Sequence, residues 1–485
     1  MAENNLLTIL KPIDMKQIEI LFEQYTGEKP QSIEELPSSG SNRRYFRVKG
    51  SKQTLIAAQG ICIDENIAFW NIAEHFYERG LPVPQVLYHS DDYQYYLQQD
   101  LGDDTLFKVV SNGRDKGQYT EHEIDLLRKT VSVLPAIQFE GAKGLDFSVC
   151  YPQSEFDERM ISFDLNYFKY CFLKATGLDF SEIQLENDFC AMSKVLMKNT
   201  SNTFLYRDFQ ARNVMLVDGK PYFIDFQGGR KGPIYYDVAS FIWQAKANYS
   251  EELKLELIDT YLDALKKYVL VDKEFFMEQL RHFILFRTLQ VLGAYGFRGY
   301  FEKKPHFLQS VPFAIDNLKK LLKEPFKEYP YLSTILLELT KMREFSEMNA
   351  VRKLEIKVYS FAYKKGIPND VSGNGGGYVF DCRALENPGK YDHFKHFTGL
   401  DQEVIKFMED DGGVQKFMDK VYDLADVHVQ RYLERKFTNL MFSFGCTGGQ
   451  HRSVYCAQHL AEHIAKKFDV KVRLYHREQE MEQEL

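Results

Sequence analysis

The sequence predicts a multidomain α/β protein, and three patterns along the chain support this fold class. Near the amino terminus, the β-like runs RYFRV and TLIAAQG are separated by the turn material KGSK, which is typical of a hairpin in a small sheet. From about residue 105 helical periodicity dominates, interrupted by a second hairpin in which VMLV and PYFI flank Asp218-Gly219. Beyond residue 350 strand-like and helix-like runs alternate, ending in NLMFSFG, a Gly-rich loop and a helix.

These changes of pattern divide the chain into four segments. With 485 residues, the chain is too long for a single hydrophobic core. We predict a β-rich part over 1–104, a helical part with the second hairpin over 105–325, a charged linker over 326–352 and a small α/β domain over 353–485.

Composition disfavours several classes of function. The formal net charge of −8 argues against broad binding to nucleic acid or anionic membranes, although a local basic patch is compatible with it. The most apolar run, 283–297, contains Arg287 and Gln290, so we expect a buried helix there and no membrane partner. The amino terminus lacks a signal-peptide pattern, and the seven cysteines are scattered without a CxxC motif. We therefore expect a cytoplasmic protein with reduced thiols.

The segment YRDFQARN carries the first candidate site. Asp208 and Asn213 have the D-x-x-x-x-N spacing of a phosphotransferase catalytic loop, and Asp225 follows across the hairpin in IDFQ. Phosphoryl transfer needs an acceptor for the substrate hydroxyl proton and oxygen ligands for Mg²⁺. Asp208 suits the first role, whereas Asn213 and Asp225 offer the hard oxygen ligands. A loop aspartate and a turn-capping asparagine are the alternative interpretation, but the full arrangement of loop, hairpin and Asp-Phe favours catalysis.

The wider pattern LYRDFQARNVML…YFIDFQGGRKGPIYYDVASFI resembles the aminoglycoside-phosphotransferase-like kinases. Together with SNRRYFRV and QDLGDDTLF, it most resembles the bacterial kinases that phosphorylate the anomeric hydroxyl of N-acetylmuramate or N-acetylglucosamine. The resemblance spans about residues 30–325 and implies a bilobal protein-kinase-like fold, with 1–104 as the N-lobe and 105–325 as the C-lobe. It implies that ATP and Mg²⁺ are bound, that Asp208 is the catalytic base, and that Asn213 and Asp225 hold the metal. Asp237 would brace the catalytic loop.

The chain departs from the kinase pattern in two places. The catalytic loop begins YRD where the usual pattern has a histidine, and the strand LIAA has no lysine for the nucleotide phosphates. Arg43 or Arg44 could replace that lysine, and both could equally be solvated surface arginines. The predicted phosphate-covering loop consists of Ser39, Gly40, Ser41 and Asn42.

A second candidate site lies in GCTGGQHRSVYCA, between the run NLMFSFG and a helical pattern. In this order, amides of a Gly-rich loop and of a helix N-terminus point at one spot, which makes an anion site. Gly448 and Gly449 allow close backbone approach, and Arg452 offers a bidentate phosphate donor. The C-x5-R-S spacing from Cys446 also fits a protein-tyrosine-phosphatase loop. However, a glycine stands where those enzymes usually have histidine, and no general-acid aspartate loop is evident.

The segments KGIPNDVSGNGGGYVFDCRALENPGKYDHFKHFTGLDQEV, GCTGGQHRSV and YHRE resemble the C-terminal domain of the RNase adapter protein RapZ, over about residues 353–480. That domain senses glucosamine-6-phosphate and, in enteric bacteria, binds small regulatory RNAs. Gly389 departs from the pattern, because the adapter proteins commonly have a histidine there, and the P-loop half of those proteins is absent. The resemblance implies a phosphosugar pocket formed by Asp381, Arg383, Cys446, Thr447, Gly448, Gly449, His451 and Arg452.

We therefore predict an ATP-dependent kinase of amino sugars, with its acceptor pocket in the helical segment 287–308, fused to a phosphosugar-binding domain that regulates it. The alternative is a non-catalytic pseudokinase or adapter that binds small RNA or protein in response to glucosamine-6-phosphate. Basic residues from Lys341 to Lys365 could form an RNA-binding face, but they more readily form a solvated helix face.

Overall fold

The computed structural model describes residues 15–37, 43–342, 345, 354–370, 376–435 and 437–485, with the side chains of all except 305 and 306. The chain divides into two compact units, Met1–Phe345 and Ser346–Leu485. The division lies inside the segment 326–352 that the sequence assigns to a linker.

In the described part of the first unit, helix α1 (Met15–Thr26) comes first and a five-stranded antiparallel sheet follows. Its strands are β1 (Ser32–Glu35), β2 (Arg44–Lys49), β3 (Thr54–Gln59), β4 (Val86–His89) and β5 (Tyr95–Gln99), in the order β1-β2-β3-β5-β4. The predicted hairpin of RYFRV and TLIAAQG is confirmed, because β2 pairs antiparallel with β3. Phe46 and Val48 of β2 share a core with Ile18 and Leu21 of α1, and helix α2 (Ile63–Glu78) follows β3.

The rest of the first unit is largely helical. Its helices are α3 (Leu106–Val109), α4 (Ser111–Lys116), α5 (Glu121–Phe139), α6 (Glu158–Phe168), α7 (Glu182–Met197), α8 (Tyr235–Ile242), α9 (Glu251–Leu265), α10 (Lys273–Gly296), α11 (Val311–Leu321) and α12 (Pro330–Lys341). Helix α10 buries side chains around its whole circumference, including the run Phe283–Leu289, and contacts α6, α8 and α11. It is therefore the central helix of the unit, as expected of a helix that is apolar on every side. No helix in the described ranges combines the length and the apolarity that crossing a membrane would need.

Helix α12 occupies much of the segment predicted as a linker. Leu332, Leu336 and Leu339 recur at helical spacing on this helix and are buried, and α12 contacts α7 and α11. This apolar face makes α12 part of the first unit rather than a solvated connection.

Two short ribbons hold the segment with the first candidate site. Strand β6 (Thr203–Leu205) pairs antiparallel with β9 (Arg230–Gly232), and β7 (Val214–Val217) pairs antiparallel with β8 (Lys220–Phe223). The β7–β8 turn places Asp218 at φ 50° and Gly219 at φ 70°, and two positive φ angles are what a two-residue type I′ turn requires. The hairpin predicted at Asp218-Gly219 is confirmed.

The second unit is an α/β sheet domain. Its strands are β10 (Glu355–Ala362), β11 (Tyr378–Asp381), β12 (Asn439–Cys446), β13 (Lys471–His476) and β14 (Met481–Glu484), in the order β11-β12-β10-β13-β14. Neighbouring strands are parallel except β13 and β14, which are antiparallel. Helices α13 (Gln402–Asp410), α14 (Gly413–Glu434) and α15 (Arg452–Lys467) follow in chain order, and α15 contacts β10, β12 and β13. Because β12 leads directly into α15, the loop between them lies at the carboxyl end of parallel strands, a common place for ligands.

Candidate functional site

The loop that carries Asp208 is held from beneath by a buried carboxylate. Asp237, in the first turn of α8, accepts hydrogen bonds from the backbone amides of Tyr206 (2.8 Å) and Arg207 (2.9 Å). Burial raises the pKa of Asp237 to about 7, although the two amide donors favour its ionised form. Asp237 thus contacts the loop in the way that the kinase resemblance implies for a bracing residue.

Asp208 lies in a strongly cationic setting. The Arg287 Nη2 of α10 donates to Asp208 Oδ1 at 3.1 Å, and Arg287 also donates to Tyr236 and Gln290. Burial alone would raise the pKa of Asp208, but three nearby guanidinium groups, led by that of Arg287, hold it below its ordinary value. The Asp208 side chain is 39% exposed, so a substrate can reach this ionised proton acceptor.

Asn213 and Asp225 lie on either side of the β7–β8 hairpin and approach each other at its open end. The amide of Ile224 donates to the carbonyl of Asn213 at 3.0 Å, which joins the two segments. Asn213 Nδ2 donates to the carbonyl of Asp208 at 2.8 Å, so its amide oxygen is the atom that can bind a cation. Asp225 adopts the left-handed region at φ 67°, which costs a non-glycine residue about 1–2 kcal/mol.

The charges of this group fit a divalent cation. Burial raises the pKa of Asp225, and the carboxylate of Asp208 raises it further. A cation beside these two acids would relieve their repulsion. The Asn213 amide oxygen and the Asp225 carboxylate are hard oxygen donors, and Mg²⁺ in proteins commonly takes few such ligands and completes its shell with phosphates and water.

Arg43 belongs to a polar chain that ends at Asp225. Arg43 Nη2 lies 3.4 Å from Oε1 of Glu65, on α2, and donates to the Glu65 carbonyl at 3.0 Å. The side-chain amide of Gln227 contacts both Glu65 Oε1 (3.3 Å) and Asp225 Oδ1 (2.8 Å). Arg43, the residue just before β2, is thus paired with an acid on α2 and joined to the Asp225 group.

Arg44 takes the opposite direction. Its guanidinium forms two hydrogen bonds of 2.8 Å with the carboxylate of Glu35, on β1. Of the two candidates, Arg43 is therefore the one joined to the Asp225 group. The predicted phosphate-covering residues Ser39, Gly40, Ser41 and Asn42 lie outside the described residues.

A cavity of about 580 Å³ opens beside the Asp208 loop. Its wall includes Gln210, Ala211 and Arg212 of that loop together with Arg287. Aromatic rings from separate helices and loops complete the wall, namely Phe107, Tyr119, Trp243, Tyr249, Tyr295 and Phe307. Part of this wall comes from the segment 287–308 that the sequence assigns to the acceptor pocket.

In the second unit, Cys446 ends β12 and lies beneath the glycine-rich loop. Its Sγ accepts from the amide of Gly449 at 3.2 Å and lies 3.2 Å from the hydroxyl of Ser453. Burial raises the pKa of Cys446, but these contacts and the charge of Arg452 outweigh it and leave the pKa lowered. The thiol is only 3% exposed, so its contacts shape the loop, while Thr447 and Gly448 form the exposed tip.

His451 and Arg452 fasten the start of α15 to the segment after β11. His451 Nε2 lies 3.0 Å from the carbonyl of Phe394, and Arg452 Nη1 donates to the carbonyls of Arg383 (2.8 Å) and Leu385 (3.1 Å). Both side chains are buried. The sequence predicts Arg452 as a phosphate donor, and in the structure one edge of its guanidinium, at Nη1, donates to the segment after β11.

Asp381 and Arg383 form a surface pair beside this loop. Arg383 Nη2 donates to Asp381 Oδ2 at 2.6 Å, and Asp381 lies next to Gly445 in the register of β11 and β12. At Gly389, an added side chain would begin 3.7 Å from the ring of His451. The position that departs from the adapter proteins therefore faces the candidate pocket.

Several contributors to these sites were not identifiable from local sequence. Arg287 is 79 residues from Asp208, and Glu65 is 162 residues from Gln227. The acceptor carbonyl for His451, that of Phe394, is 57 residues away. The local motifs around Asp208 and Cys446 therefore predicted the sites, but not these long-range contacts.

Comparison with known proteins gives one family match in each of the two units. Residues 32–271 match the phosphotransferase enzyme family, and residues 354–480 match the RapZ C-terminal domain. The chain joins a phosphotransferase-family domain to a RapZ C-terminal domain. These matches confirm the predicted combination of a kinase-like fold and an α/β domain, and the first agrees with the predicted enzyme class.

Individual relatives cover only part of the chain. A nucleotide-binding protein from Fervidobacterium nodosum is 34% identical over 142 residues, which is 29% of this chain and 48% of that protein. One from Geobacillus thermodenitrificans is 38% identical over 143 residues, 30% of this chain and 45% of that protein. The chain thus spans about half the length of these curated relatives. A choline kinase from Cryptosporidium parvum covers 67% of this chain and all of its own, with 10% identity and a TM-score of 0.46, too low to indicate function.

Proposed function

We propose that the first unit transfers the γ-phosphoryl group of ATP to a hydroxyl of an amino sugar of the N-acetylmuramate or N-acetylglucosamine type. The observation that carries this proposal is the joint placement of Asp208, Asn213 and Asp225 around one short hairpin, next to a cavity of about 580 Å³. The second unit binds a phosphosugar, and we place the whole chain in the cytoplasm.

In this reaction Asp208 accepts the proton of the acceptor hydroxyl. The hydroxyl oxygen forms a bond to the γ-phosphorus, the bond from that phosphorus to the β–γ bridging oxygen breaks, and ADP leaves. Arg287 keeps Asp208 ionised and holds its Oδ1 in place through the 3.1 Å contact. Mg²⁺, held by the Asn213 amide oxygen and Asp225, would supply charge neutralisation at the phosphates.

The nucleotide would be held from the sheet side. Arg43 would contact its phosphates, because Glu65 and Gln227 join it to the Asp225 group. Ser39, Gly40, Ser41 and Asn42 remain proposed for the covering loop. Arg44, also proposed from the sequence, is engaged by Glu35 and would contribute only after leaving it.

The second unit would take its phosphosugar at the loop between β12 and α15. Amides of Thr447 and Gly448 and of the first turn of α15 are the proposed phosphate donors, because the first amides of a helix have no partner within it. Gly449, whose amide donates to Cys446 Sγ, would let the backbone approach the phosphate closely. His451 and Arg452 would contact the phosphosugar from buried positions that also hold the loop, with Cys446 beneath it and Asp381 and Arg383 at its edge. Bound hexosamine phosphate would then regulate the kinase, which requires different affinities for two kinase states.

The test is phosphate transfer from ATP to a panel of amino sugars by the full chain, with and without hexosamine 6-phosphates. We expect turnover of at least one sugar, lowered at least about 100-fold in Asp208→Asn, since a positioned base contributes about that much. Asp218→Asn, at the exposed hairpin turn, is the matched control and should keep full activity. No turnover of any sugar, or equal turnover by Asp208→Asn, would reject the proposal. Salt-sensitive binding of small RNA by an inactive protein would support the adapter alternative instead.

A further inference from the structure

A second cavity in the first unit, of about 550 Å³, also borders the loop that carries Asp208. Arg207 of that loop lines it, together with the segment 152–155, several residues at the start of α6, and Arg230 of β9. We call it the Arg230 cavity. It shares no described lining residue with the cavity of about 580 Å³, to which the same loop contributes residues 210–212. The reaction proposed above does not use the Arg230 cavity, so the charged groups on its wall are available for another role.

Arg230 carries a buried positive charge that no acid of the chain pairs with. It is 1% exposed, and its Nε and Nη2 donate to the carbonyl of Gly228 at 3.3 and 2.9 Å. Within the described ranges, its Nη1 donates to no protein atom, and no carboxylate oxygen lies within 4.0 Å of its guanidinium. Burial lowers the pKa of Arg230 to about 10, and the positive charge of Arg207 lowers it further. Because buried charges in proteins are normally paired, a partner for this guanidinium is missing from the chain itself.

Asp164, on α6, supplies a second incomplete group on the same wall. Its Oδ1 accepts from Arg207 Nη2 at 3.2 Å, whereas its Oδ2 is buried and has no hydrogen-bond partner. Burial raises the pKa of Asp164, although three guanidinium groups, led by that of Arg207, favour its ionised form. The free oxygen can therefore accept a hydrogen bond from a ligand, or donate one when the carboxyl is protonated.

The other two acids on the wall are already engaged. Glu155 is exposed and lies 3.7 Å from the Nζ of Lys231, and Asp157 caps α6 by accepting from the amide of Met160 at 2.8 Å. Arg159, the remaining basic residue of the wall, is exposed. Among the less exposed groups of the wall, two guanidinium groups thus face one carboxyl group, which leaves an excess of positive charge.

We propose that the Arg230 cavity binds an oxyanion, the phosphate or carboxylate group of a small molecule, between Arg207 and Arg230. Guanidinium groups suit such groups because their N–H donors match the spacing of the anion oxygens. One proton shared between an anion oxygen and Asp164 Oδ2 would give that buried atom its missing hydrogen bond. The site is separate from the cavity of the proposed reaction, and it would be occupied whether or not the first unit is a kinase.

Crystals of the full chain, grown without phosphate and soaked in sodium tungstate, test the position of the site. Tungstate is a tetrahedral oxyanion whose anomalous scattering identifies it in an electron-density map. We expect an anomalous peak in the Arg230 cavity, with an oxygen atom about 2.7–3.2 Å from Arg230 Nη1. Tungstate peaks that lie only elsewhere on the chain overturn the proposal.

Calorimetric titration of the full chain with inorganic phosphate and with acetate, in the presence of saturating ADP and Mg²⁺, measures affinity and distinguishes the two kinds of anion. We expect Arg230→Met to weaken the binding of one anion at least about tenfold, since a hydrogen bond to a charged group contributes about that much. Arg79→Met, at an exposed arginine outside both cavities, is the matched control and should bind as the parent does. Equal affinity and stoichiometry in the parent and in Arg230→Met overturn the proposal. If Arg230→Met does not fold, the tungstate crystals of the parent decide. Because both experiments measure binding and not turnover, a failure of the proposed kinase activity leaves their outcome unchanged.

Discussion

A buried histidine in the second unit makes its stability depend on pH. His476, at the end of β13, is 1% exposed, with Nε2 3.1 Å from Oε1 of Gln458 and Nδ1 2.9 Å from the hydroxyl of Ser360. Both partners are neutral, so neither offsets the free-energy cost of protonating the buried ring. Burial accordingly lowers its pKa from 6.5 to about 4.

The sign of the pH dependence follows from whether the folded or the unfolded state binds the proton more tightly. Below pH 6.5 the unfolded chain protonates His476, whereas the folded unit does so only near pH 4, so stability falls as the pH drops through this window. The stability contributed by the neutral ring is fully present above pH 6.5. The loss is about 2 kcal/mol at pH 5 and approaches about 3 kcal/mol below pH 4.

The assay is urea unfolding of the full chain, with a signal that reports the opening of the second unit only. Met408 and Met418 are buried there, and their oxidation by peroxide, quantified by peptide mass spectrometry, reports when that unit opens. Between pH 7 and pH 5, the loss of stability should be about 2 kcal/mol smaller in His476→Gln than in the parent protein. His393→Gln, at an exposed histidine, should behave as the parent.

Equal pH dependence in the parent and in His476→Gln would refute this reasoning. If the variant does not fold, an NMR titration of the parent decides the matter, because a His476 ring that titrates near 6.5 contradicts its burial-driven shift.

Two further substitutions test the supports of each candidate site. Asp237→Ala leaves two buried amides without an acceptor and should lower the free energy of unfolding of the first unit by about 2–6 kcal/mol, and Asp237→Asn by about half as much. Tryptophan fluorescence during urea unfolding measures both values. A decrease below about 1 kcal/mol in Asp237→Ala would contradict the bracing role. Gly449→Ala should weaken hexosamine-phosphate binding, since Gly449 has φ 70° and an added Cβ would lie 2.9 Å from the amide nitrogen of Ala362. Gly448→Ala, whose Cβ would meet nothing within 4 Å, should bind normally in the same titration, and equal affinities would show that the loop does not need this backbone.

The sequence was most informative where the interacting residues are close along the chain. Asp208, Asn213 and Asp225 are separated only by a tight loop and a hairpin, so their spacing and the Asp218-Gly219 turn together predicted that they would meet. The strand–loop–helix order around Cys446 was predictable for the same reason. Local periodicity and turn chemistry suffice for such cases.

The sequence could not predict contacts that depend on which face of a strand or helix is buried. Arg43 immediately precedes β2 and Arg44 is its first residue, and adjacent residues in extended chain point to opposite sides. Only the packed sheet shows that Arg43 meets Glu65, while Arg44 meets Glu35. Arg287 was visible only as a polar residue within an apolar run, and its contact with Asp208 depends on how α10 packs.

The β7–β8 hairpin also has a consequence for engineering. Its register pairs Val214 with Phe223, which sets Asn213 opposite Ile224 and brings Asp225 to the open end. The exposed turn lies at the other end, so extra residues inserted between Asp218 and Gly219 would lengthen a loop without altering that spacing. Deleting a single residue within either strand would instead slip the pairing and separate the two positions proposed to bind the metal. The turn is therefore a suitable insertion point for a reporter peptide, and the strands are not.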